Sequence, residues 1–284
     1  MTAMPDLIDQ LTGPTLPRDD PAPPVFHRYV AVGDSFTEGV GDPDPRRPNG
    51  VRGWADRVAE ALSGRTDEFG YANLAIRGRK LPQIVAEQLE PAVALRPDLV
   101  TLYGGGNDIL RPKVDIDRLM EDYDTAVRRL SSTGARVVLF TGFDLGFAPV
   151  FRHLRGRVAV YNELVREIAD DHGAGLVDFW RMREFRDPRC WDVDRMHLST
   201  RGHTRMAEAV LATLDGRPLP TADFAHTPPP RSEARRAEDW QWAREHLGPW
   251  VKRRVQGTSS GDGVSPKHPS LVRLSAPADP AAHR

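Results

Sequence analysis

A chain of 284 residues with 39% hydrophobic content can fill one ample domain with extensions. Its formal net charge of −1 excludes the global basic field of a nucleic-acid binder. The lone cysteine, Cys190, excludes an internal disulfide framework and a multi-cysteine zinc site, and no apolar run is long enough to span a bilayer.

Residues 1–24 carry Pro14, Pro17, Pro21, Pro23 and Pro24 and lack an apolar targeting core, so they read as a flexible leader and the expected location is cytoplasmic. An apolar run from about Phe26 to Val32 predicts the first strand, ending at Gly33-Asp34-Ser35. A serine just past such a strand presents its hydroxyl at the carboxyl edge of a sheet, where open α/β folds place their active sites. Taken alone, the tripeptide reads equally well as a solvated turn. Residues 39–53, rich in Pro and Gly and holding Arg46-Arg47, form an irregular loop near that serine. Trp54, Val58 and Leu62 then recur at helical spacing, and Gly64 stops the helix.

A second strand is expected over Phe69 to Ile76, ending near Gly78, and Pro82 suits the first turn of a helix carrying Ile84, Val85 and Leu89. Leu99 to Tyr103 predicts the third strand, which runs into Gly104-Gly105-Gly106-Asn107-Asp108. Helical stripes follow on Ile116, Leu119, Met120, Tyr123, Val127 and Leu130, and again on Val158, Tyr161, Leu164, Val165 and Ile168. Between them, Arg136 to Phe140 predicts the fourth strand, and Gly175 to Phe179 the fifth. Asp192-Val193-Asp194-Arg195-Met196-His197 precedes a last helix that Thr200 can cap. Strands alternating with amphipathic helices imply an α/β fold, a three-layer α/β/α sandwich around a five-stranded parallel sheet in the flavodoxin-like order 2-1-3-4-5. The domain expected from this spans 25–216. The extension, 217–284, is expected to hold one amphipathic helix over about 231–255, with Trp240, Leu247 and Trp250 on one face, and a disordered tail from Gly257. Membrane attachment through that helix is disfavoured because Pro249 interrupts it.

Ester hydrolysis needs a nucleophile, a base, a group that orients the base, and donors for the oxyanion. Ser35 can be the nucleophile and His197 the base, with Asp194 three residues earlier to orient it and Asp192 as the nearest competitor. The backbone N–H groups of Ser35 and Gly78 and the side-chain amide of Asn107 would then converge as donors, because strands one, two and three are neighbours. His203, Asp108 and Asp34 read as structural, Cys190 as inert, and Tyr161-Asn162 and Trp180 as packing. Arg46, Arg47 and Arg77 read as candidates to greet an anion, the first two as well explained by a solvated loop.

Gly33-Asp34-Ser35, Gly78 after Asn73-Leu74-Ala75-Ile76-Arg77, Gly105-Gly106-Asn107-Asp108 and Asp194-Arg195-Met196-His197 resemble, in order, the four sequence blocks of the GDSL or SGNH hydrolases. Phe36 replaces the leucine of the family's name, and Ala75 stands where serine or glycine is common. The resemblance covers roughly Phe26 to Leu214. It implies a serine esterase without metal or organic cofactor, acting on a small-molecule acyl ester through Ser35, Asp194 and His197 with Ser35, Gly78 and Asn107 as the oxyanion hole. It also implies an open, shallow cleft suited to small acyl groups. An acyltransferase or thioesterase would use the same residues, and a non-catalytic binding protein would have no need of the full set.

Overall fold

Val30 and Val32 point to one side of strand β1 (Arg28–Val32) and Tyr29 and Ala31 to the other, and all four are buried. A strand apolar on both faces belongs in the middle of a covered sheet. The computed structural model describes residues 22–148, 151–221, 241–242, 244–245, 248–249 and 258–274. In it β1 lies parallel between β2 (Gly70–Asn73) and β3 (Leu99–Leu102), with Val30 opposite Ala72 and Val100. β4 (Arg136–Phe140) and β5 (Gly175–Val177) extend the parallel sheet beyond β3. The expected order 2-1-3-4-5 is present. A sixth strand, β6 (His268–Val272), pairs antiparallel with β2 and makes the sheet mixed, in the order β5-β4-β3-β1-β2-β6.

The helices follow from local sequence. α1 (Ser35–Glu38) is a single turn directly after β1. α2 (Trp54–Ser63) ends on Gly64 as expected. α3 (Leu81–Ile84) and α4 (Glu90–Ala94) are joined through a π-helical stretch, Val85–Leu89. The helix widens there because Pro91 has no N–H to offer the carbonyl of Glu87. α5 (Gly106–Ile109) is another single turn, after β3. α6 (Ile116–Ser131) starts on Asp115, whose carboxylate accepts from Arg118 N–H at 3.0 Å. α7 (Arg155–Asp171) follows β4, and α8 (Thr200–Leu214) closes the domain. The cap of α8 is Ser199, accepting from Gly202 N–H at 3.3 Å, and Thr200 is the first helical residue instead. α2 and α8 cover the Tyr29 face of the sheet, and α3, α4, α6 and α7 cover the Val30 face.

The disorder expected from Gly257 does not hold for residues 258–274. The Lys267 side chain is fully buried, forms an ion pair with Asp56 and donates to the carbonyl of Glu38 at 3.0 Å. Asn49 Nδ2 donates to the carbonyl of Ser265 at 3.0 Å, and Leu271 packs on the core. Composition gives no sign of this buried charge pair, which together with the pairing of β6 on β2 anchors a Ser-, Gly- and Pro-rich segment. Most of the helix expected over about 231–255, including Trp240, Leu247 and Trp250, lies outside the described residues.

His203 is structural, as expected. It is fully buried, Nδ1 accepts from Trp54 N–H at 3.1 Å and Nε2 donates to the carbonyl of Val40 at 3.1 Å, which ties α8 to α2 and to the loop after α1.

Lys267→Met leaves Asp56 buried without its cation and should lower unfolding free energy by about 3 kcal/mol in chemical denaturation. The cost is limited because burial already raises Asp56 to about 6 against the pull of Lys267, so the orphaned carboxyl can take up a proton. A second expectation concerns pH. Burial lowers His203 from 6.5 to about 4, so between those values the unfolded chain binds the extra proton and stability rises with pH. Comparing wild type with His203→Gln by denaturation across that range, the advantage of wild type should shrink toward acid by up to about 3 kcal/mol.

Candidate active site

At the carboxyl end of β1 one side chain satisfies both backbone groups of Gly33. Gln88 Oε1 accepts from its N–H at 2.8 Å and Gln88 Nε2 donates to its carbonyl at 2.9 Å. A Cβ on Gly33 would lie 2.5 Å from Thr37 Oγ1 and 2.7 Å from the carbonyl of Tyr103, so glycine alone permits the tight passage into α1. Asp34 caps that turn, accepting from Phe36 N–H at 3.0 Å, and Ser35 is its first residue.

The histidine arrives on a turn closed by two backbone bonds, Asp192 N–H to the carbonyl of His197 and Arg195 N–H to the carbonyl of Asp192, both at 2.9 Å. Arg195 takes the left-handed φ of +54° that this turn requires. Asp194 Oδ1 accepts from the N–H groups of Met196 at 2.9 Å and His197 at 3.0 Å. Its Oδ2 accepts from His197 Nδ1 at 2.5 Å, and His197 Nε2 accepts from the Ser35 hydroxyl at 3.1 Å. The carboxylate partner places a proton on Nδ1, which turns Nε2 toward Ser35. Burial pushes the Asp194 carboxyl up, but the bond and charge of His197 and the two N–H groups outweigh it and hold the group at about 2. Asp194, and not Asp192, therefore meets the imidazole.

Asn107 sits in α5 and lines the same cavity as Ser35 and His197. Its Nδ2 donates to Asp34 Oδ2 at 2.9 Å and to the carbonyl of Arg79 at 3.1 Å, so both amide hydrogens have protein acceptors at rest. Burial drives Asp34 up to about 7, even though the N–H of Phe36, the charge of His197 and the Asn107 amide favour its ionised form. Gly78 is not among the cavity-lining residues. It occupies a turn after β2 at φ +75°, and a Cβ there would lie 2.2 Å from Ser259 Oγ of the C-terminal segment. The carbonyl of Arg79, the next residue, is what joins this turn to Asn107.

The cavity beside Ser35 has a volume of about 160 Å³ and walls that are mostly aromatic and aliphatic. Phe143, Leu145 and Phe147, on the loop after β4, stand around it together with Trp191, and Phe143 and Trp191 are only 4.6 Å apart between ring centres. The loop is held by Asp144, which accepts from Gly146 N–H at 2.9 Å and from Arg155, Arg183 and Arg186 at 2.6, 2.8 and 3.3 Å. Neither Gln88 nor this three-arginine cluster was visible in sequence, because their partners lie far away along the chain. The arginines considered for an anion are engaged elsewhere: Arg77 is bidentate on buried Glu38, Arg46 pairs with Asp44 and Arg47 with Glu60. Asp108 holds its loop by accepting from Leu81 N–H at 2.9 Å. Cys190 is buried, and that burial pushes its thiol up to about 11. Among the described residues no group of His, Cys, Asp or Glu side chains is arranged to hold a metal ion, and no helix is long and apolar enough to cross a membrane.

Residues 31–205 match the family model of the GDSL-like lipase/acylhydrolase family. A multidomain esterase of Ruminococcus flavefaciens is 28% identical over 122 residues, which amount to 42% of this chain and only 16% of that protein. Among solved structures, LAE5, an alpha/beta hydrolase enzyme from the metagenome of Lake Arreo, Spain, is similar at a TM-score of 0.56 and 25% identity, covering 66% of this chain and 94% of that one. The acetyl xylan esterase AlAXEase shares the fold at a TM-score of 0.54 and 23% identity, over 65% of this chain and 98% of its own. Axe2, an acetylxylan esterase from Geobacillus stearothermophilus, does so at 0.54 and 22%, over 66% of this chain and 94% of its own. With more than half of its length matched and the fold shared, the chain belongs to the GDSL-like lipase/acylhydrolase family.

Proposed function

We propose that this chain is a serine-dependent carboxylic ester hydrolase that works through an acyl-enzyme intermediate on small-molecule esters. The observation that carries the reading is the unbroken hydrogen-bonded relay from the Ser35 hydroxyl through His197 to Asp194 at the wall of a cavity. His197 Nε2 takes the Ser35 proton as Oγ bonds to the ester carbonyl carbon, and the carbonyl oxygen becomes the oxyanion of a tetrahedral intermediate. Asp194, kept ionised well below neutrality, holds the ring in the productive tautomer and stabilises the imidazolium. Collapse of the intermediate breaks the bond to the alcohol oxygen, which leaves with the proton from Nε2. Water then repeats the sequence on the acyl-serine and releases the carboxylic acid.

The oxyanion donors in this reading are the N–H of Ser35, the amide of Asn107 and the N–H of Gly78. Asn107 must share with the oxyanion a hydrogen that Asp34 or Arg79 holds at rest. Gly78, which stands outside the cavity lining, serves as the third donor only if its turn, tied to Asn107 through the carbonyl of Arg79, brings its N–H to the oxyanion.

Ser35→Ala should lower turnover of p-nitrophenyl butyrate by about 10⁴-fold or more with an unchanged thermal melt, and a fluorophosphonate should label the wild-type protein at Ser35 by peptide mapping. Near-normal turnover in the variant would end the proposal. Asn107→Ala should cost about 10²- to 10³-fold in kcat with a much smaller change in KM, because the oxyanion exists mainly in the transition state. Steady-state kinetics on the same ester make that distinction.

A further inference from the structure

We infer that the cavity beside Ser35 is a preformed pocket for an apolar acyl group, one that rests on the nucleophile assignment above and adds the substrate class to it. Its volume of about 160 Å³ is close to that of an apolar protein cavity known to take up benzene, so the group that fills it has about six carbons, as a straight chain or a phenyl ring.

Three observations point the same way. Two aromatic side chains of the wall turn their polar ends to the backbone: the Tyr161 hydroxyl donates to the carbonyl of Gly104 at 2.6 Å, and Trp191 Nε1 donates to the carbonyl of Phe185 at 2.7 Å. What they present to the interior is ring and methyl surface, joined by Val158, Leu145 and Phe147. A hydroxylated acyl group would lose its water there without gaining partners. The wall is also fixed in place. Asp144, at the base of the wall loop, is bonded to Arg155 on α7 and to Arg183 and Arg186 of one helical turn beyond β5, so two separate segments brace the loop before any ligand binds. Finally, Ser35 and His197 line the same cavity, so a carbonyl at Ser35 Oγ can lay its acyl side against the aromatic wall. Arg195, the cation among the lining residues, has its guanidinium over the Trp242 ring at 5.0 Å. An acetyl group would leave most of this volume empty, and the carbons of a long chain beyond about the sixth would lie outside it.

The test uses the full chain and p-nitrophenyl esters of acetate, butyrate, hexanoate, octanoate, laurate and phenylacetate. Each buried methylene should raise kcat/KM by about fourfold from acetate to hexanoate, with phenylacetate near hexanoate and no comparable gain per methylene from hexanoate to laurate. Val158→Phe, which fills the cavity from α7, should lower the ratio of hexanoate to acetate kcat/KM by at least about tenfold. Should that variant fail to fold, calorimetry on Ser35→Ala supplies an independent reading: hexanoate should bind at least about tenfold more tightly than acetate. Acetate turned over as well as hexanoate, by a protein that a fluorophosphonate labels at Ser35, would overturn the pocket and leave the nucleophile standing. Absence of labelling, with hexanoate still preferred by the Ser35→Ala protein in calorimetry, would overturn the nucleophile and leave the pocket.

Discussion

The amide of one buried glutamine sets where the chain can turn. Beyond Val32 the backbone leaves its neighbours at the carboxyl edge of the sheet: the carbonyl of Gly33 keeps one long bond, from Ile76 N–H at 3.3 Å, and its N–H would be buried without a strand partner. Gln88 supplies both an acceptor and a donor to that residue, as a neighbouring strand would. With these groups satisfied, the chain can pass at once into α1 and set Ser35 on its first turn. The widened helical stretch that carries Gln88 exists because Pro91 breaks the regular ladder just after it. A sequence irregularity in one helix therefore serves the placement of a serine in another segment.

From there the packing spreads outward. Phe36, next to Ser35, lies within 6 Å of four aromatic rings, those of Trp54, Tyr103, Phe140 and Phe179. An aromatic ring where the family's name has leucine joins the Ser35 turn to the cluster that continues through Phe143 and Trp191 into the cavity wall. Glu38, at the other end of α1, is fully buried and gathers Arg77 and Asn49, while its carbonyl receives Lys267 from the C-terminal segment. The turn that holds Gly78 is thus fixed by Arg77 from one side and packed by Ser259 from the other.

Much of the fold and of the candidate site could be read from residues whose meaning is local. Arg136 to Phe140 is a strand because five consecutive residues suit a buried ladder, and Asp194 lies near His197 because three residues of turn bring them together. What could not be read depends on partners far apart. Lys267 is separated from Asp56 by 211 residues, and nothing in the Ser- and Pro-rich composition around it distinguishes a buried strand anchor from a solvated lysine. Asp144 looks like any loop aspartate until the fold brings Arg155, Arg183 and Arg186 around it. The apolar lining of the pocket beside Ser35 could not be read for the same reason. Wall residues on the loop after β4 acquire a common purpose only once that carboxylate pins the loop down.

Two carboxylates near one histidine show how burial and hydrogen bonding divide the electrostatic work. Asp194 accepts two backbone N–H bonds and the Nδ1 proton, and these hold it ionised at about 2 despite its partial burial. Asp34, accepting from one backbone N–H and from Asn107, is more deeply buried and is driven to about 7. The contrast follows from the number of donors and the depth of burial, not from distance to His197 alone. It has a directional consequence: the firm negative charge sits behind the imidazole, where it favours proton uptake from Ser35. The carboxyl beside Asn107, on the side where the oxyanion would form, is the one whose charge the protein interior opposes.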